Sequence, residues 1–301
     1  MARKNTLLAY MACMLVGGLA AIALTLSIAA GAAPGAERSV TLVGAGDIAD
    51  CDLKADEATA KLVKNIQGTV FTTGDNVYDN GTRAEWRNCY DPSWGAFKKR
   101  TMPSAGNHDY YTNNAQPYYD YFGRRAGNPN RGYYSYDRGA WHIVVLNSNC
   151  EKVSCAADSP QAQWLRNDLS NNRTACTLAY WHHPRFASGD NVQTSSVDPF
   201  WEILYNRGAE LVLNGHAHRY ERHRPMNADG RRDANGIRQI IVGTGGKPPL
   251  GDVGERDPNT VTRNDNTPGV LRLSLRSDSY SWKFVPVPNK NFTDSGKANC
   301  H

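Results

Sequence analysis

Residues 69–78 read TVFTTGDNVY: five β-favouring residues, then Gly74, then Asp75, Asn76 and Tyr78. A near-continuous run of this length fits a strand covered on both faces. The glycine lets the backbone turn sharply where the strand ends. Asp75 and Tyr78 are thereby set just beyond a buried strand. The same grammar recurs along the chain. Asp47 closes GAGD, Asn107 and His108 stand in SAGNHD, His182 and His183 in AYWHHP, and His216 and His218 in NGHAHRYER. Gly46, Gly106 and Gly215 repeat the part taken by Gly74.

Further β-favouring runs lie at Val40–Val43, His142–Leu146, Thr177–Trp181, Glu210–Leu213 and Arg238–Val242. Val270–Leu275 and Ser279–Val287 alternate instead and predict an antiparallel pair. Helices are predicted between the runs. One starts at an Asp52 cap and runs to Lys64, with Ala55, Ala58, Leu62 and Ile66 on one face and Gly68 ending it. Two more start at Ser159-Pro160 and Asp198-Pro199, where proline follows a capping residue. Asn113–Gly139, rich in Tyr and Gly, reads as a long surface loop with short strand pieces. Alternating strands and helices predict an α/β layered fold.

The ends and the cysteines point to a compartment. Arg3 and Lys4 lead into an uncharged, mostly apolar stretch up to Ala36 with small residues near its end. It reads as a cleaved export signal or as an N-terminal membrane anchor. Residues 37–301 then form one catalytic domain outside the cytoplasm, secreted or anchored. Outside the leader, which holds Cys13, six cysteines permit about 15 pairings. Cys150 with Cys155 is the local choice, Cys51 with Cys89 would tie two loops, and Cys176 with Cys300 follows by elimination; buried free thiols are the alternative. The net charge is +5, and +3 without Arg3 and Lys4. That balance offers no dense basic stripe, so a nucleic-acid partner is not expected.

The five clusters hold enough donors for two metal ions. Carboxylate and phenolate oxygens (Asp47, Asp75, Tyr78) suit a hard Fe(III), whereas Asn107, His182 and His216 suit a divalent Zn, Fe or Mn. One carboxylate must bridge ions about 3.5 to 4 Å apart, and Asp75 is the natural candidate. His142, inside an apolar run, reads as a hydrogen-bonded core histidine. His223 and His301 read as solvent-exposed. Tyr220, Glu221 and Arg222 read as fixing the last motif's loop, and Asp109 as orienting a neighbour or shaping a turn.

With these motifs in family order over about 170 residues, GD at 46–47, GDNVY at 74–78, GNHD at 106–109, HHP at 182–184 and GHAH at 215–218, the chain resembles the purple acid phosphatases within the calcineurin-like metallophosphoesterases. The resemblance implies a four-layer αββα sandwich of two mixed β-sheets flanked by helices. It implies Asp47, Asp75, Tyr78 and His218 on a ferric ion, and Asp75, Asn107, His182 and His216 on the divalent one. A metal-bound hydroxide would cleave a small phosphate monoester, with His108 as general acid. His183, Arg185 and Tyr220 are candidate substrate contacts. Members of the family often carry histidines about nine residues after the fourth-motif ligand; here Ser188, Gly189, Asp190, Asn191 and Val192 stand there. A phosphodiesterase or nucleotidase on the same core is therefore an alternative, as is a metal-binding surface protein that has lost catalysis. Oligomeric state is not legible.

Overall fold

The computed structural model describes residues 39–189, 192–250 and 254–301. The expected leader or anchor, and the positions Asp190 and Asn191, lie outside the described residues. Among the described residues no helix is long and apolar enough to cross a membrane.

Thirteen strands form two mixed sheets. Their ranges are β1 (Val40–Ala45), β2 (Thr69–Thr73), β3 (Thr101–Ser104), β4 (Tyr134–Arg138), β5 (Trp141–Val145), β6 (Cys176–Tyr180), β7 (Leu211–Asn214), β8 (Tyr220–His223), β9 (Arg238–Val242), β10 (Thr260–Asn264), β11 (Gly269–Leu275), β12 (Ser279–Pro286) and β13 (Ser295–Asn299). One sheet is ordered β13-β12-β11-β1-β2-β3, the other β10-β8-β9-β7-β6-β5-β4. β1, β2 and β3 run parallel, as do β5, β6, β7 and β9. The expected pair β11 and β12 is antiparallel, with Leu273 opposite Trp282.

The apolar runs are strands because both of their faces are covered. Ile143, Val145, Leu178, Tyr180, Leu211 and Leu213 share one core with Leu42, Phe71 and Leu271 of the other sheet. The alternate residues Val144, Ala179, Trp181 and Val212 pack on the opposite face against Leu165 of helix Pro160–Asn171 and Trp201 and Leu204 of helix Asp198–Tyr205. Each fully buried aliphatic side chain contributes about 1.5 to 3 kcal/mol. Helix Ala55–Lys64 adds Ala60 and Val63 to the first core. Two sheets face to face, each flanked by helices, make the αββα sandwich.

Local details depart from the sequence reading. Ser159 caps its helix through the Ala162 amide as expected, at 3.1 Å. Asp52 caps nothing: the first helix begins at Ala55, and Lys54 at its N-cap makes no side-chain bond. Its buried face is Asp56, Thr59, Ala60 and Val63, because Asp56 and Thr59 have polar partners in Ser93 and the Gly245 carbonyl. That helix closes at Asn65, ahead of Gly68. Asp198 lies inside its helix and pairs with Arg185. The expected loop Asn113–Gly139 contains helix Gln116–Phe122, whose Tyr118, Tyr119 and Phe122 are buried, and β4. Three disulfides, Cys51–Cys89, Cys150–Cys155 and Cys176–Cys300, match the expected pairing.

His142 is a core histidine, 2.7 Å from both Asp137 and Asp168. Burial opposes its charged form, but the two carboxylates outweigh burial and raise its pKa above 6.5. A pKa raised by folding adds stability below the unfolded value, and that stability is lost as pH rises through the folded value. His142→Gln should therefore lower the melting temperature more at pH 5 than at pH 9, as read by calorimetry. An equal loss at both pH values would show that the ion pairs contribute nothing.

Candidate metal centre

The first three clusters leave the C-terminal ends of β1, β2 and β3, and the last two leave β6 and β7. The crevice beyond the carboxyl ends of parallel strands is where α/β sheets place their sites. Backbone bonds lock the loops together. The Asp47 amide donates to the Gly74 carbonyl at 3.0 Å, and the Gly215 amide to the His182 carbonyl at 3.0 Å. Asp109 joins two motifs, accepting from the Asn76 side-chain amide and the Gly106 amide at 2.9 Å each.

Of the four motif glycines only Gly74 has a positive φ, +87°. The left-handed turns fall instead on the donors themselves, at Asp47 (58°), Asp75 (46°) and His216 (69°). Such a residue costs on the order of 1 to 3 kcal/mol and persists where its surroundings over-determine it. The His216 amide, for example, is fixed by Asp47 Oδ2 at 2.9 Å. Gly106 serves close approach: a Cβ there would lie 2.1 Å from Asp75 Oδ1.

Seven side chains converge in two overlapping groups. In the first, the Tyr78 hydroxyl lies 2.8 Å from Asp47 Oδ1, 3.0 Å from Asp75 Oδ2 and 3.2 Å from His218 Nε2. In the second, His182 Nε2 lies 3.2 Å from Asp75 Oδ2, 3.1 Å from Asn107 Oδ1 and 3.2 Å from His216 Nδ1. Asp75 Oδ2 belongs to both groups. The far nitrogens are anchored on carbonyls, His182 Nδ1 on Thr73 and His218 Nδ1 on Pro248, both at 2.8 Å. Such outer partners fix the ring orientation of a ligating histidine.

The electrostatics of this set fit a cation. Burial, together with the Asp47 and Asp75 carboxylates, pushes the Tyr78 phenol well above its usual range. Asp47 is raised by burial, whereas at Asp75 burial is outweighed by His182, His108 and His216 together, which hold it below the usual range. Burial disfavours charge on His182 too, yet Asp75 pushes it up to about 9. Burial and the neighbouring His182 press His216 down to about 3. A positive ion among these groups would invert that logic, favouring phenolate and carboxylate and taking neutral imidazoles as ligands.

Beside the cluster, His108 packs between Tyr78 and Tyr111, its ring tilted 54° to each, with centroids at 4.4 and 4.7 Å. Its Nδ1 meets the Asp79 carbonyl at 2.5 Å, and Nε2 lies 3.9 Å from Asp75 Oδ2. His183 packs on His216 at 4.6 Å and is bonded through Nδ1 to the Ser148 hydroxyl at 2.8 Å. The other two expected substrate contacts are otherwise engaged. Tyr220 is fully buried and donates its hydroxyl to Asp294 at 2.6 Å, so it is removed from any substrate. Arg185 is paired with Asp198 rather than open to an anion. Ser188 is buried and bonded to Glu221, which also takes Arg219 Nε at 2.9 Å. His223 is buried rather than exposed, at the end of β8 with its Nε2 3.5 Å from Glu221. His301 is exposed.

Three neighbours of the site carry no motif of their own in the sequence. Tyr111 accepts from the Asn107 side-chain amide at 3.0 Å, a contact that i, i+4 spacing could have suggested. Ser148 follows β5. Lys247, in the GTGGKPP stretch after β9, holds its ammonium 4.5 Å over the Tyr78 ring and pairs with Asp50 and Asp79. Both lie just past strand ends.

A family model described as Calcineurin-like phosphoesterase matches residues 34–220. Purple acid phosphatase 15 of Arabidopsis thaliana is 26% identical over 63% of the chain, and purple acid phosphatase 23 is 27% identical over 66%. The matches span only 42% and 51% of those relatives. A purple acid phosphatase from yellow lupin seeds shares the fold at TM-score 0.69 and 15% identity, covering 88% of this chain and 54% of its own. GAP50, the anchor in the inner membrane complex of Plasmodium, also aligns at TM-score 0.69, with 17% identity and 87% and 89% coverage.

Proposed function

Because the chain belongs to the calcineurin-like phosphoesterase family, we propose that it is a binuclear metallohydrolase of small phosphate monoesters, of the purple acid phosphatase kind. The observation that carries this reading is Asp75 Oδ2, 3.0 Å from the Tyr78 hydroxyl and 3.2 Å from His182 Nε2, one oxygen shared by two donor groups. Asp47, Asp75, Tyr78 and His218 would hold Fe(III), and Asp75, Asn107, His182 and His216 a divalent Zn, Fe or Mn. When bound, the ions would supply a nucleophile from water near neutral pH and neutralise phosphate charge.

The chain's own residues do the rest. With a cation in place, the Tyr78 phenol would release its proton to solvent and serve as a phenolate ligand. The Thr73 and Pro248 carbonyls hold His182 and His218 in the tautomer that leaves Nε2 bare for a metal. His108 donates a proton from Nε2 to the leaving oxygen while the Asp79 carbonyl keeps its ring in place. Three disulfides support an extracytoplasmic location.

A phosphodiesterase or nucleotidase reading has its own support, a cavity of about 510 Å³ beside His218 and Lys247 with room for a second ester arm. Comparing nitrophenyl phosphate with the bis-ester on protein loaded with iron and zinc ranks the two. The monoester should be cleaved faster. If no phosphate ester turns over, catalysis has lapsed and the enzyme reading is abandoned. A tyrosinate on Fe(III) should give a visible charge-transfer band, and Tyr78→Phe should abolish it. An unchanged spectrum in that variant would sink the ferric assignment.

A further inference from the structure

A cavity of about 570 Å³ opens beside the second donor group, lined by Asn107, Tyr111, Ser148, Lys152, His183 and Thr194 among others. A phosphate alone fills little of it, so the space belongs to whatever the phosphate is attached to. Tyr111 stands out along its wall. The residue is 58% exposed, yet its ring lies 4.7 Å from the His108 ring and its hydroxyl accepts from Asn107 at 3.0 Å. It is an aromatic face held still and open to solvent, so a stacking partner would order little that is not already ordered.

The same cavity is lined by the loop closed by Cys150–Cys155, where Glu151 and Lys152 are exposed. Their opposite charges cancel, so this loop does not select for a charged alcohol. The His108 ring, which carries the proposed acid, lies 4.7 Å from the Tyr111 ring, so an ester oxygen that takes its proton would lie near Tyr111. A ring bonded directly to that oxygen would meet Tyr111 face to face or edge to face. The base of a nucleoside phosphate lies a whole ribose further out.

We propose that this cavity is a leaving-group subsite for aryl phosphates, with Tyr111 as the specificity-determining residue. The inference rests on the phosphate-ester reading of the metal centre. Benzylphosphonate and ethylphosphonate, in which a CH2 stands in for the ester oxygen and hydrolysis leaves the P–C bond intact, test it by isothermal titration of the metal-loaded full chain. Benzylphosphonate should bind about tenfold more tightly than ethylphosphonate. Tyr111→Ala should remove most of that ratio, whereas Tyr111→Phe, which keeps the ring and loses the bond to Asn107, should retain it.

Damage to Asn107 weakens both ligands and cancels in the ratio. A ratio near one in the wild type, a ratio that survives Tyr111→Ala, or failure of both phosphonates to bind overturns the subsite. Turnover of phosphate esters is measured separately. A protein that binds with the expected ratio but hydrolyses nothing loses the proposed activity and keeps the subsite.

Discussion

Asp75→Asn is expected to release both metal ions together and to reduce phosphate-ester hydrolysis by a factor on the order of a thousand or more, since several kcal/mol of transition-state charge stabilisation leaves with the ions. The change is isosteric, so its effect comes from the lost lone pairs. Asp75 Oδ1 accepts from the His108 amide at 2.8 Å, and Oδ2 accepts from the Tyr78 hydroxyl at 3.0 Å while facing His182 at 3.2 Å. Asparagine has a single acceptor oxygen. Whichever way its amide turns, an N–H meets either the His108 donor or the centre both ions would share. Metal stoichiometry by plasma emission, with circular dichroism to establish folding, checks the result. A folded variant that keeps two ions and near-native turnover would remove Asp75 from the bridging position.

His108→Ala carries the next largest effect. Its backbone amide still holds Asp75, so both ions should stay while kcat falls about 10² to 10⁴-fold. The size of the loss should depend on the alcohol released. A nitrophenolate departs without help, whereas an alkoxide needs the proton, so glycerol phosphate should suffer more than nitrophenyl phosphate. Equal losses on both would assign His108 to holding substrate or ligand geometry and leave the acid unidentified.

The strands that were legible are those with core on two sides. β5, β6 and β7 carry near-continuous apolar runs because residues such as Ile143 and Val144 serve different cores. The strands that escaped notice are β3, β10 and β13, three of the four sheet edges, and β8 next to an edge, while the fourth edge, β4, was expected only as a strand piece within a loop. An edge strand has neighbours on one side only, so β13 reads SGKAN with an exposed alternate face, and β3 tolerates Pro103.

The donor clusters were legible for a local reason, each being a few residues at one strand end. Tyr111 and Ser148 act through contacts made in three dimensions, with His108 and His183. Burial of His223 was hidden because its acidic partner, Glu221, looked equally at home in water. Tyr220 failed as a substrate contact for the same reason: adjacency to a motif does not say which way a strand residue faces.

Three of the proposed ligands, Asp47, Asp75 and His216, occupy backbone conformations in which glycine or asparagine would rest more easily. Seen as a plain scaffold, the chain would be better off without them. Ions that bind the native state alone shift the folding equilibrium by mass action, so with the proposed ions the folded fraction would depend on metal supply. In metal-poor surroundings the unloaded chain would be the species that proteases clear first, which makes abundance itself a readout of loading.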